Sequence, residues 1–182
     1  MLKKSLRKKM ADVTKLIPHI LKWEGGFVND PDDLGHETNK GVTFQTYKLY
    51  RRRKGLPEPT VEDLENISDE EFTDILKSLY WDACLGDRIS SQSVANAIVD
   101  WAWNSGTRTA VKEVQQILGV EDDGILGNIT LAAINSRSPL PLFGAIQTAR
   151  KFYIEEICIS RPKNKKYRVG WLNRINNLQF YD

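Results

Sequence analysis

The sequence predicts a mainly α-helical protein, and three observations carry that expectation. Apolar residues recur at three-and-four spacing in several segments, helix-capping signatures stand at helix starts, and no run of alternating apolar and polar residues marks a strand. The 182 residues are 41% hydrophobic, enough to fill the core of one domain with or without a small appendage.

Val13, Leu16, Ile17, Ile20 and Leu21 lie on one face of a first helix. Pro18 either kinks that helix or sits in the first turn of a shorter one. Gly, Asn, Asp and Pro then crowd the segment GGFVNDPDDLGHETNKG, residues 25–41, which predicts a structured loop or a short hairpin. A second helix is expected from Thr43 to about Lys54, stopped by Gly55, Pro57 and Pro59. Ser68 and Glu71 form a capping box, with Ile67 and Phe72 as a hydrophobic staple, for a helix running toward Trp81. Residues 93–104, SVANAIVDWAWN, are apolar on most sides and predict a buried central helix ended by Gly106. Helices are further expected over 108–118, 128–135, 142–159 and 170–178. DDGILGNIT is a turn and RPKNKKYR a basic loop.

Composition narrows the function. A net charge of +2 is too small for a typical nucleic-acid binder. Two basic runs, at Lys3 to Lys9 and at Arg51 to Lys54, are a solvated tail and helix end, or an attraction to an anionic polymer. Two cysteines, Cys84 and Cys158, make no disulfide framework and are expected as buried thiols. His19 and His36 are the only histidines, and no zinc-ligand spacing exists, so neither a catalytic metal nor a cofactor is expected. No apolar segment follows the basic N-terminus, and no 18-residue apolar run occurs. Synthesis in the cytoplasm without a signal peptide, and no membrane span, are therefore expected.

Glu24 is the residue that points to chemistry. It continues the apolar stripe 13, 16, 17, 20, 21 at the end of the first helix, beside Trp23 and before Gly25-Gly26. An apolar setting and the negative end of a helix dipole both favour a carboxyl that keeps its proton, as a glycosidase general acid must. The alternative is a glutamate pointing to solvent at a frayed helix end. A second group is needed across a scissile bond, and the loop offers Asp30, Asp32, Asp33 and Thr38. Single aspartates in turns are more often structural.

The segment LKWEGGFVNDPDDLGHETNKGVT resembles the signature of glycoside hydrolase family 108, lysozyme-like N-acetylmuramidases of bacteria and phages, some of them called secretion activators. Glu24, Gly25, Gly26, Asn29, Asp30, Pro31, Asp33, Gly35, Thr38, Asn39, Gly41 and Thr43 carry it. His36 stands where a second glycine is usual, and Leu34 replaces a frequent proline. YWDACLGDRI and VDWAWNSG resemble further segments of the family. The resemblance implies a lysozyme-like helical fold with its active-site loop or hairpin after the first helix. It implies Glu24 as catalytic acid, with Asp33 and Thr38 holding the attacking water, and peptidoglycan as substrate. Asn39, Asp100 and Asn104 are the expected substrate-binding residues. Asn96, Asp100 and Asn104 also form a polar stripe on the central helix, for which an internal hydrogen-bond network is the favoured reading over a sugar-binding lining of the cleft. Trp81, Trp101 and Trp103 either stack on sugars or belong to the core.

DGILG with Thr130, in the C-terminal third, resembles the short helical peptidoglycan-binding module that often closes this family. A catalytic region over 12–106 and a peptidoglycan-binding-like region over 107–182 are expected, in a monomer that reaches the cell wall after release or export. The rival expectations are a non-catalytic wall-binding or secretion-assisting protein and a lytic transglycosylase. A nucleic-acid binder ranks behind both.

Overall fold

The computed structural model describes residues 10–25 and 38–182, and the backbone of 28, 29 and 37. The expected mainly α-helical, lysozyme-like architecture is what it shows. The chain forms two compact units. One comprises residues 14–80, and the other comprises residue 81 onward with the stretch ending at Val13.

In the first unit, a 3-10 turn at Val13–Lys15 leads into α1, Ile17–Trp23. Pro18 lies in the first turn of α1, where a missing N–H costs nothing, so the helix is short and unkinked there. A three-stranded antiparallel sheet follows in the order β1 (Val28–Asn29), β2 (Glu37–Asn39), β3 (Val42–Thr43). Lys40 and Gly41 form the two-residue turn between β2 and β3, with φ of 48° and 76°. Positive φ at both positions is the turn geometry that matches the twist of paired strands.

Thr43 caps α2 (Phe44–Arg53) by accepting from the Thr46 amide. A short α3 (Val61–Glu65) was not expected from the sequence. It rests on a reciprocal capping box between Thr60 and Asp63. α4 (Asp69–Ile75) starts at Ser68, whose Oγ accepts from the Glu71 amide at 3.0 Å. The Glu71 carboxylate, expected to complete that box, accepts instead from the Tyr47 hydroxyl at 2.9 Å. Tyr50 donates in the same way to Asp74 at 2.8 Å, so two tyrosines of α2 dock on two acids of α4. The basic run closes α2, where cations suit the helix dipole, and Arg51 and Lys54 reach Glu71 and Asp74. A π-helical turn, Leu76–Trp81, continues α4.

In the second unit, Trp81 is fully buried, and its Nε1 donates to Asp87 at 2.7 Å. Gly86 lies so close to the indole that any side chain there would collide with it. α5 (Gln92–Ser105) is buried from Gln92 to Trp103, as its all-round apolarity predicts. It packs on α6 (Thr107–Leu118) and α8 (Pro139–Ser160). α5 therefore packs within the same compact unit as the C-terminal helices. Gly106 and Gly119, both at positive φ, end α5 and α6 as expected.

Gln115 organises the DGILG turn. Its Oε1 accepts from the Gly124 amide, and its Nε2 donates to Asp123, Ile125 O and Thr130 of α7 (Asn128–Ser136). The motif thus folds a turn. α8 begins three residues before its expected start because Pro139 takes the first helical position. The basic segment is a 3-10 helix, Pro162–Tyr167, followed by α9 (Arg168–Asn177). Cys84 and Cys158 are buried free thiols. No described helix is long and apolar enough to cross a membrane.

Candidate active site

α1 delivers Glu24 to its place. Leu16 and Ile20 are fully buried, while Ile17, Leu21 and Glu24 are half-buried, so the stripe that holds the helix down ends in a carboxylate with access to solvent. Glu24 is the capping residue of α1, in extended conformation with φ −89° and ψ 135°.

Its side chain rests on the β2–β3 turn. A Cβ built on Gly41 would sit 2.9 Å from Glu24 Oε1 and closer still to Oε2 and Cδ. No real Cβ is found so near, so a side chain at position 41 would push the Glu24 carboxyl from its place, and the φ of 76° favours glycine there. The turn itself is anchored from the far side. Asn39 Nδ2 donates to Leu64 O and Glu65 O at 2.9 and 2.8 Å, and Lys40 Nζ binds Ile67 O and Asp69. The carbonyls at the C-terminal end of α3 thereby find donors, and the hairpin gains a fixed height against Glu24.

Asn39 was expected to bind substrate. It is 6% exposed, with its amide hydrogens committed to α3, and its place is that of a structural anchor. Thr38, expected to hold the attacking water, is half-buried in β2 and lies opposite Val28 and Thr43 in the sheet register. Alternation along the strand sends its side chain to the face opposite that of Asn39. Asp33 and His36 lie outside the described residues, as do Asp30 and Asp32.

Tyr80 is a member of this site that sequence reasoning missed. The Glu24 carboxylate acts on its hydroxyl electrostatically. Burial, and then Glu24, raise the phenol's pKa, while a hydrogen bond with Thr46 opposes the rise. Thr46 Oγ1 in turn accepts from Thr43 Oγ1 at 3.0 Å. A chain of hydroxyls thus leads from the start of α2 to Tyr80, whose hydroxyl feels the charge of the acid. The available signal was the tyrosine in YWDACLGDRI, hidden by its apolar neighbours. Trp23, beside Glu24, has a buried Nε1 with no acceptor among the described residues.

Asp100 and Asn104, also expected at substrate, are on α5. Asp100 has no exposed surface. Its Oδ2 accepts from Arg150 Nη2 at 2.6 Å, and its Oδ1 accepts from Arg174 Nε and Nη2 at 3.0 and 2.8 Å. A carboxylate so enclosed offers no sugar ligand, and the internal network is the correct reading of the stripe. Asn96 agrees: it accepts from Gln92 and donates to the Tyr181 hydroxyl. Asn104 differs, being exposed, with its Nδ2 donating to Asp100 O. Trp81, Trp101 and Trp103 are core residues, at 0%, 2% and 9% exposure. Among the described residues no cluster of His, Cys, Asp and Glu has the makings of a metal site.

Residues 17–106 match the family described as glycosyl hydrolase 108, and residues 109–176 match the predicted peptidoglycan domain. Among solved structures, that of Brucella abortus SagA is similar, with a TM-score of 0.77 and 28% sequence identity over 91% of this chain and 90% of that one. No curated protein matches the sequence.

Proposed function

Because this chain belongs to glycoside hydrolase family 108 and continues into a predicted peptidoglycan domain, we propose that it is a lysozyme-type N-acetylmuramidase with Glu24 as general acid. Hydrolysis of cell-wall peptidoglycan, in the broad sense, follows from the two families together. The finer assignment is the β-1,4 bond between N-acetylmuramic acid and N-acetylglucosamine.

The observation that carries it is the Glu24 carboxyl lying on Gly41, a position where any side chain would displace it. A general acid must be held within hydrogen-bond reach of the glycosidic oxygen, and a rigid backbone beneath the carboxyl does this without a competing charge. Tyr80, held by its hydrogen bond with Thr46, stands within electrostatic reach of the acid. Glu24 gives its proton to the leaving oxygen, the C1–O bond breaks, and a water adds to the oxocarbenium-like carbon. In this reading Asp33 and Thr38 hold that water, and the separation of the two carboxyl groups decides whether configuration is inverted or retained. The protein acts at the cell wall after release or export, as a monomer.

Mass analysis of the products released from purified peptidoglycan tests this reading. Reducing N-acetylmuramic acid ends are expected. Ends in 1,6-anhydro form identify a lytic transglycosylase instead, and binding without release identifies a non-catalytic wall protein.

A further inference from the structure

We infer that the cavity between α5, α8 and α9 binds the 2-acetamido group of an amino sugar, with the methyl inside and the sugar ring at the mouth. Both sugars of a peptidoglycan strand, N-acetylglucosamine and N-acetylmuramic acid, carry that group. Peptidoglycan as the source rests on the proposed function. The acetamido chemistry rests on the cavity.

The cavity has a volume of about 90 Å³. An apolar cavity of about 150 Å³ holds benzene, so this one suits a group of about three to five heavy atoms and excludes a sugar ring. The acetamido group, CH3–CO–NH, lies within that range. Trp101 and Ile175, both buried, form the floor, and the half-buried Ile154, Ile157 and Trp171 form walls that favour a methyl group over water. Arg150 and Arg174 also line the cavity, but their guanidinium groups are committed to Asp100 and Gln147, so the group they leave room for is a neutral one.

The last turn of α5 supplies the decisive observation. Asn104, exposed, and Ser105, half-buried, both line the cavity. Asn104 donates one Nδ2 hydrogen to Asp100 O, and its Oδ1 has no partner among the described residues. The Ser105 hydroxyl has none among them either. A secondary amide needs one acceptor for its N–H and one donor for its C=O, and it needs them on opposite sides. Asn104 Oδ1 accepts the acetamido N–H, and the Ser105 hydroxyl donates to the acetamido carbonyl. A carboxylate has no use for the acceptor, and an ammonium group has none for the donor.

Trp171 is braced by the ring of Tyr167, with 5.6 Å between centroids, and gives the mouth an aromatic wall on which a sugar ring packs. The placement of the parts agrees with a glycan ligand. α5 lies in the stretch that matches glycosyl hydrolase 108, and α8 with most of α9 lies in the stretch that matches the predicted peptidoglycan domain. The cavity needs residues of both.

The test titrates the full chain with the methyl β-glycosides of N-acetylglucosamine and of N-acetylmuramic acid. Methyl β-glucoside, with a hydroxyl in place of the acetamido group, and the N-butanoyl analogue, with an acyl chain too long for the cavity, are the controls. Binding is read from the indole N–H resonances of Trp101 and Trp171, while that of Trp23, beside Glu24, reports on the active site. Saturable shifts of Trp101 and Trp171 are expected with both acetamido sugars, with affinities on the order of millimolar. N-acetylglucosamine should bind the tighter, having no lactyl ether next to the group; the reverse order supports the site and assigns it to the muramic acid. Both controls should bind roughly tenfold or more weakly, from loss of the buried methyl and the amide hydrogen bonds or from overfilling. Asn104→Ala, at an exposed position, should weaken binding roughly fivefold. Ile154→Trp, checked by its melting, should fill the mouth and abolish it. No saturable shift, shifts confined to Trp23, binding of the butanoyl analogue or the glucoside as tight as that of the acetamido sugars, or unaltered binding by Asn104→Ala overturns the site. Clearing of peptidoglycan by the same preparation is scored separately. Clearing without probe binding sinks the cavity alone, and probe binding without clearing sinks the hydrolase reading alone.

Discussion

Gly41 and Glu24 touch across the turn of the hairpin: the space a Cβ would need at position 41 is already filled by the Glu24 carboxyl. The glycine therefore meets two demands at once, a φ of 76° and the seat of the acid. Gly41→Ala is expected to cost about 1 kcal/mol in stability from its left-handed backbone. The larger effect is on turnover, a fall on the order of 100-fold, because the carboxyl must move by an ångström or so. Thermal denaturation and peptidoglycan-clearing rates, measured on one preparation, separate the two. Stability loss with full turnover contradicts the seating role.

Asn39 holds the turn at its height. Asn39→Ala removes the donors to Leu64 O and Glu65 O. A destabilisation of about 1–3 kcal/mol is expected, since buried carbonyls lose their partners. Denaturant unfolding checks this. A stable variant with weakened glycan affinity would restore Asn39 as a sugar ligand.

Asp100 is a structural ion in the second unit. Asp100→Asn leaves Arg150 and Arg174 buried with their shared carboxylate gone, which is expected to cost about 3–5 kcal/mol. Chemical denaturation reads the loss. Wild-type stability in this variant would contradict the assignment.

Acid should weaken the first unit through Asp74 and Asp63. The hydrogen bond from Lys54, then that from Tyr50, holds Asp74 below its ordinary value of 3.8 despite burial. The Thr60 amide and hydroxyl do the same for Asp63. A folded pKa below the unfolded one contributes stability above the unfolded value, and that contribution is lost as pH falls through the folded value. Melting temperature should thus hold above about pH 5 and decline below about pH 4. Asp74→Asn should flatten part of that decline. An unchanged acid limb in the variant contradicts the role of the Lys54–Asp74 pair. Both groups are partly exposed, so the effect is modest.

Local signals were legible in the sequence. Thr43, Ser68, Gly106 and Gly119 mark helix ends where capping chemistry puts them. Glu24 was legible because an acid stands out on an apolar stripe. α3 was not, because the prolines at 57 and 59 announce a loop and the Thr60–Asp63 box uses Asp where Glu is usual. Long-range partners were hidden for a simpler reason. Arg150 and Arg174 lie 50 and 74 residues beyond Asp100, so nothing local marks the aspartate as enclosed. The Gly41–Glu24 contact is likewise a product of folding, since the motif displays the glycine but not what it faces.

The most direct test of the account is reducing-end release from purified peptidoglycan by the wild type and by Glu24→Gln, with folding checked by thermal denaturation. Glutamine keeps the size of the side chain and cannot give up a proton to the glycosidic oxygen. The account predicts release by the wild type, and a loss of roughly 100-fold or more in a variant that melts as the wild type does. Equal release by both proteins would contradict it.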